Sequence, residues 1–121
     1  MFGQRSALKY LIYYVTSRCN LRCSHCFYTE ELCSRDDLSL SEIRRLAHGL
    51  NPLAFLRITG GEPFLRSDLP EVIEAFANEA GVRRMGMITN GTLTEAIEAN
   101  VKEIFLRCPS LNLDLGVSVD G

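Results

Sequence analysis

The sequence predicts an α/β fold built on a parallel sheet, and two observations carry that expectation. Short runs rich in β-branched and aromatic residues alternate with segments whose apolar residues recur at helical spacing. The centres of three of the strand runs, near residues 57, 87 and 117, are separated by the length of one strand–helix–strand unit, roughly thirty residues. Strands joined through helices are parallel with right-handed crossovers, giving a layered or barrel-like arrangement of four strands and three helices.

Residues 8–16 (LKYLIYYVT) are too continuously apolar for a half-solvated strand and predict a first parallel strand buried on both faces. A polar stretch then leads to Ser39, which with Glu42 forms a capping-box signature ahead of Leu40, Ile43, Leu46, Ala47 and Leu50 at helical spacing. Residues 55–59 predict a second strand, ended by Gly60 and Gly61. Asp68 is the expected cap of a second helix, with Pro70 in its first turn, Leu69, Val72, Ile73, Phe76 and Ala80 on its buried face, and Gly81 as its stop. Residues 85–89 predict the third strand. Thr94 is the expected cap of a third helix whose stripe is Ile97, Val101, Ile104, Phe105 and Cys108, ended by Pro109. Residues 113–119 predict the fourth strand.

With 121 residues the chain is one domain at most, long enough for a real core. Its 46% apolar content and net charge of -2 are ordinary for a globular protein. They show neither the basic patch that would bind nucleic acid nor a polybasic or long apolar segment that would engage a membrane. The five cysteines are an odd number with three of them clustered, which fits a reducing compartment, the cytoplasm, better than a disulfide framework.

Chemistry concentrates in Cys19, Cys23 and Cys26, spaced Cys-x-x-x-Cys-x-x-Cys, so that one short loop can turn three thiolates toward a common point. A structural zinc site closes with four protein ligands, whereas three thiolates on an iron–sulfur cluster leave one iron for an exogenous group. Two readings stay open on the cysteines alone: a cluster, or zinc with His25, His48 or Cys33 completing the set. At the end of the second strand, Gly60-Gly61-Glu62-Pro63 joins two residues that admit close backbone approach to a carboxylate. Such a group suits the ammonium of an amino acid moiety, although a plain turn with a solvated Glu is the simpler reading of the tetrapeptide by itself. Thr89 and Asn90 close the third strand, where Asn90-Gly91 is equally a turn dipeptide. Ser118 and Asp120 close the fourth. All these positions fall at the C-terminal ends of predicted parallel strands, the face on which α/β folds build sites. Cys33 reads as a loop thiol, Cys108 as a small core hydrophobe, and Arg44, Arg45, Arg83 and Arg84 as solvated faces.

Together the cysteine spacing, the apolar strand that delivers it, Gly60 to Pro63 and the later strand ends resemble the N-terminal part of a radical S-adenosylmethionine (SAM) enzyme. The resemblance implies a partial TIM-like barrel of parallel strand–helix units, with further strands expected downstream and the isolated chain inactive. It implies two cofactors, a 4Fe-4S cluster held by Cys19, Cys23 and Cys26, and SAM. Gly60, Gly61, Glu62 and Pro63 would meet the SAM amino group, with Glu62 as a hydrogen-bonding support. Thr89 and Asn90 would lie near SAM or substrate, Ser118 and Asp120 would serve its ribose or carboxylate, and His25 would pack near the adenine. One electron would then cleave SAM to methionine and a 5′-deoxyadenosyl radical that takes hydrogen from substrate. A reductant such as a flavodoxin or ferredoxin is implied, and the likeness to peptide- and protein-modifying members implies a peptide or protein substrate. A zinc-stabilised interaction module and a simple iron–sulfur electron carrier are the rivals, but neither accounts for Gly60 to Pro63.

Overall fold

The computed structural model describes residues 10–18 and 37–118. Four parallel strands, β1 (Tyr10–Thr16), β2 (Phe55–Gly60), β3 (Arg84–Thr89) and β4 (Asn112–Val117), form one sheet in the order of the sequence. Three helices, α1 (Leu40–Gly49), α2 (Leu69–Glu79) and α3 (Thr94–Arg107), alternate with them, and a 3-10 turn (Pro63–Leu65) follows β2. This is the α/β arrangement of a partial TIM-like barrel, an open sheet wound in one direction.

Sequential order with every crossover of the same hand puts the helices on one face of the sheet. Side-chain alternation shows which face: Val15, Leu56, Ile58, Met85 and Met87 are buried in a core with Ile43 and Ala47 of α1, Leu69, Val72, Ile73 and Phe76 of α2, and Ile104 of α3, and Leu11 and Tyr13 pack against it. Among the described residues no element covers the opposite face. Tyr10, Ile12 and Tyr14 of β1 and Ile88 of β3 are exposed there, so the expectation that β1 is buried on both sides is corrected. Its continuous apolar run serves two faces, and among the described residues only one of them has a helix layer over it.

The helix starts differ in chemistry. At Ser39 the capping box is complete: its Oγ accepts the Glu42 N–H at 3.2 Å and a Glu42 carboxylate oxygen accepts the Ser39 N–H at 2.8 Å. Asp68 stands at the cap position of α2 without capping it, because its carboxylate is taken by Arg66. Thr94 is inside α3 rather than ahead of it, and Leu93 occupies the cap position with no side-chain bond. Phe105, expected on the buried stripe of α3, is 40% exposed, and Ile104 is the residue of that helix in the core.

Candidate functional site at the strand ends

The strands converge on one rim through their C-termini. The register pairs Thr16 with Gly60, and Gly60 takes a φ of 128°, which an L side chain rarely adopts. The ladder runs on past the formal strand end: the Gly61 N–H donates to the Thr16 carbonyl at 2.8 Å and the Glu62 N–H to the Arg18 carbonyl at 2.7 Å. A Cβ on Gly61 would stand 1.9 Å from the Arg18 carbonyl oxygen, and one on Gly60 would stand 2.5 Å from that of Thr16. Both glycines are therefore required by the chain's own close approach. That approach carries β1 straight to Arg18, the residue before Cys19, and seats it against Gly60 to Glu62.

Glu62 is fully buried and acts as a knot between two strand ends. One carboxylate oxygen accepts the Thr89 hydroxyl at 2.7 Å and the Phe64 N–H at 3.1 Å, and the other accepts the Asn90 N–H at 2.8 Å. Thr89 in turn accepts the Gly91 N–H at 3.2 Å, and the Asn90 side-chain oxygen takes the N–H and hydroxyl of Thr92. Buried polar atoms of this kind carry a large penalty if left unpaired, and all of these are paired. Pro63 is buried at the start of the 3-10 turn, fixing the exit from the knot. Ser118 joins the rim through its N–H, which donates to the Thr89 carbonyl at 2.8 Å, and is itself exposed. Gly60, Gly61, Glu62, Thr89, Asn90 and Ser118 are thus brought to one end of the sheet. Cys19, Cys23, Cys26, His25 and Asp120 lie outside the described residues.

Two residues that drew no attention in the sequence complete the rim. Asp37, at the return of the cysteine stretch, accepts the Thr16 hydroxyl at 2.6 Å and the Ser17 N–H at 3.0 Å, and lies 3.8 Å from the Arg18 guanidinium. Arg66, only 5% exposed, spans from Asp68 (2.6 Å) to the carbonyls of Val15 (2.9 Å) and Leu38 (2.5 Å). Arg66 belongs to none of the motifs the sequence offers. The only available signal was its place just after Gly60 to Pro63.

Away from the rim, a cavity of about 190 Å³ lies at the opposite end of the sheet, bordered by Arg83, Arg107 and Cys108. Arg107 is already committed to Glu71, Glu74 and Glu103 there. Cys108 is buried as expected, and burial pushes its thiol pKa up. Arg44, Arg45, Arg83 and Arg84 are exposed. Among the described residues no group of three His, Cys, Asp or Glu could hold a metal, and no helix is long and apolar enough to cross a membrane.

A one-way parallel sheet, a rim built at the strand C-termini and a three-cysteine stretch issuing from the first strand define the class: cofactor-dependent α/β proteins of partial-barrel type. Comparison with known proteins supplies the family. The profile of the radical SAM superfamily matches residues 13–116. The chain belongs to that superfamily, whose members use a 4Fe-4S cluster and SAM. It is 42% identical over 87 residues to a GTP 3',8-cyclase of Tolumonas auensis, an alignment covering 68% of this chain and 26% of that protein. It is 34% identical over 118 residues to the GTP 3',8-cyclase of Geobacter sulfurreducens, covering 93% of this chain and 36% of the relative. A probable GTP 3',8-cyclase of Methanothermobacter thermautotrophicus is 34% identical over 102 residues, with 83% and 33% covered. The chain therefore spans about a third of the length of these relatives. Their names specify a nucleotide substrate, where the sequence reading expected a peptide or protein.

Proposed function

We propose that this chain is the cluster- and SAM-binding part of a radical SAM enzyme acting on a purine nucleoside triphosphate such as GTP. The observation that carries it is the pinning of residues 16–18 beside Gly60 to Glu62, which starts the three-cysteine stretch at the rim where Glu62, Thr89 and Asn90 meet. The donor set fits the cluster: three thiolates, Cys19, Cys23 and Cys26, would hold three irons and leave the fourth for the amino and carboxylate groups of SAM. When bound, the cluster would supply the electron for reductive cleavage of SAM.

The protein's own share is binding and orientation. Gly60 to Pro63 would face the SAM amino group through backbone. Glu62 serves as support, since its oxygens hold the Asn90 and Phe64 amides and the Thr89 hydroxyl in place. Thr89, Asn90, Ser118 and Asp120 would line the ligand along the neighbouring strand ends, with His25 near the adenine. The reading carries a flavodoxin- or ferredoxin-type reductant and a cytoplasmic location with it. The nucleotide substrate comes from the relatives' names alone.

Anaerobic reconstitution with iron and sulfide tests the cofactor half. About four irons per chain are expected. Replacing Cys19, Cys23 or Cys26 with Ser should abolish uptake, while Cys108→Ser should leave it intact. Stoichiometric zinc with no cluster signal in anaerobically prepared protein would refute it. In the intact protein under a chemical reductant, 5′-deoxyadenosine formation should rise with GTP and not with peptides, and equal formation with either removes the nucleotide half.

A further inference from the structure

We infer that Asn90 is a self-modification site: in the folded rim its side-chain amide cyclises onto the Gly91 nitrogen, and the imide opens to aspartate or isoaspartate. Asparagine is among the thermolabile residue types, and Asn90 is the asparagine of this chain that glycine follows. The Gly91 nitrogen with the carbonyl carbon, Cα, Cβ and Cγ of Asn90 makes a five-membered ring, so rotation within one residue brings nucleophile to electrophile. Glycine leaves that nitrogen unshielded, and the fold enforces its presence. Its φ is 78°, and a Cβ there would stand 2.7 Å from Val117 Cγ1. A bulkier follower that would shield the nitrogen is therefore excluded by the packing of β4 against this turn.

The surroundings supply what the cyclisation needs. The Gly91 N–H donates to Thr89 Oγ1 at 3.2 Å, and the Thr89 hydroxyl donates to Glu62 Oε2 at 2.7 Å, a proton path from the nucleophile to a buried carboxylate. A base placed in this way contributes about 10²- to 10⁴-fold to a rate. At the electrophile, Asn90 Oδ1 accepts the Thr92 N–H at 3.0 Å and the Thr92 hydroxyl at 2.8 Å. Both donors aim at the oxygen on which negative charge develops as the Gly91 nitrogen adds to Cγ. As that N–C bond forms, the amide proton passes to Thr89 and the hydroxyl proton to Glu62. Collapse then breaks the bond from Cγ to the side-chain nitrogen, which recovers a proton through the same pair or from solvent and leaves as ammonia. Water opens the imide at either carbonyl, so position 90 gains one negative charge at the rim. No redox partner enters, and no ligand takes part, so the inference stands whether or not the rim binds SAM. Asn78 and Asn100 lie inside α2 and α3, ahead of Glu79 and Val101, and share none of this.

Peptide mapping by mass spectrometry, with isoaspartate read by enzymatic methyl transfer, follows position 90 in protein held at neutral pH. Wild type, Thr89→Val, Thr92→Val and Thr92→Ser are each compared, folded, with the same chain unfolded in urea. Folded wild type is expected to convert Asn90 faster than the unfolded chain does, with Asn78 and Asn100 intact. Thr89→Val should slow the folded rate about tenfold or more and leave the unfolded rate unchanged. Thr92→Val should slow it by a smaller factor, which Thr92→Ser restores. A merely loosened turn would move these rates the other way. Asn90 that stays intact in folded wild type while the unfolded chain reacts would overturn the inference, as would Thr89→Val reacting at the folded wild-type rate or above. If Thr89→Val does not fold, the Thr92 variants decide, and equal folded rates in wild type, Thr92→Val and Thr92→Ser would overturn it.

Discussion

Gly61 and Gly49 show how differently one residue type is used within this chain. A Cβ on Gly61 would collide with the Arg18 carbonyl at 1.9 Å, whereas one on Gly49 meets nothing within 4 Å at the end of α1. Gly49→Ala should therefore raise stability by about 0.5–1 kcal/mol by lowering unfolded-state entropy, and Gly61→Ala should lower it by more than that gain. Urea melts of the two variants check the pair, and a neutral Gly61→Ala would show that the β1 extension can move aside. Glu62 carries a second expectation. Its removal by Ala would take the acceptor from three donors, two of them buried, the Thr89 hydroxyl and the Phe64 N–H, at about 1–3 kcal/mol for each that no water reaches. A loss of SAM affinity in Glu62→Ala should thus be accompanied by a lower melting temperature, the mark of a support rather than of a free ligand group. Cys108 should resist alkylation in the native protein and react readily in denaturant, because burial raises its thiol pKa and depletes the thiolate. Peptide mapping by mass spectrometry reads that contrast. At this scale the sequence located Glu62 at the end of β2, but not that two of its partners, Thr89 and Asn90, lie at the end of β3. Asp37 and Arg66 were illegible for the same reason, since the bonds that tie them to residues 15–17 join positions 20 to 51 apart.

The helices were legible from periodicity, and α2 most fully: Leu69, Val72, Ile73, Phe76 and Ala80 are all completely buried. What periodicity could not supply was the chemistry of the first turns. Ser39, Asp68 and Thr94 look alike as cap candidates, yet only Ser39 has its own backbone amides to satisfy without competition. Ser39→Ala is accordingly expected to cost about 1 kcal/mol, while Thr94→Ala should stay within about 0.5 kcal/mol of wild type. Chemical denaturation of both variants tests the distinction, and equal losses would contradict the cap geometry. The capping box also fixes a pH direction. Hydrogen bonds from Ser39 hold the Glu42 pKa below its ordinary value. Its stabilisation is therefore present above the ordinary glutamate range and fades as pH falls through it. Strand positions were legible from β-branched and aromatic content, but β1 showed the limit of that signal. A continuous apolar run does not reveal whether a second layer covers its far face.

Across the whole molecule, one observation decides between a doubly wound sheet and a barrel segment. The strands follow one another in sequence order and the helices lie on one face, so among the described residues the other face has no layer over it and exposes Tyr10, Ile12, Tyr14 and Ile88. Parallel sheets are ordinarily covered on both faces, and among the described residues this one has helices on one face alone. On the helix side of β4, Val117 is 54% exposed near the rim, while Leu106, 78% exposed, stands at the other end of the sheet, in the last turn of α3. Isolated exposed apolar residues need no explanation, but three on β1 with Ile88 of β3 on the same sheet face mark a surface suited to association. These 121 residues, as a separate polypeptide, are thus expected to associate increasingly with concentration. Light scattering coupled to size-exclusion chromatography measures this directly. Ile12→Glu and Ile88→Glu together should shift the chain toward monomer without lowering the midpoint of unfolding, since neither side chain belongs to the core on the helix side. A monodisperse wild-type monomer at high concentration would mean that the open face is tolerated by water, and that the apolar run of β1 has some role other than burial.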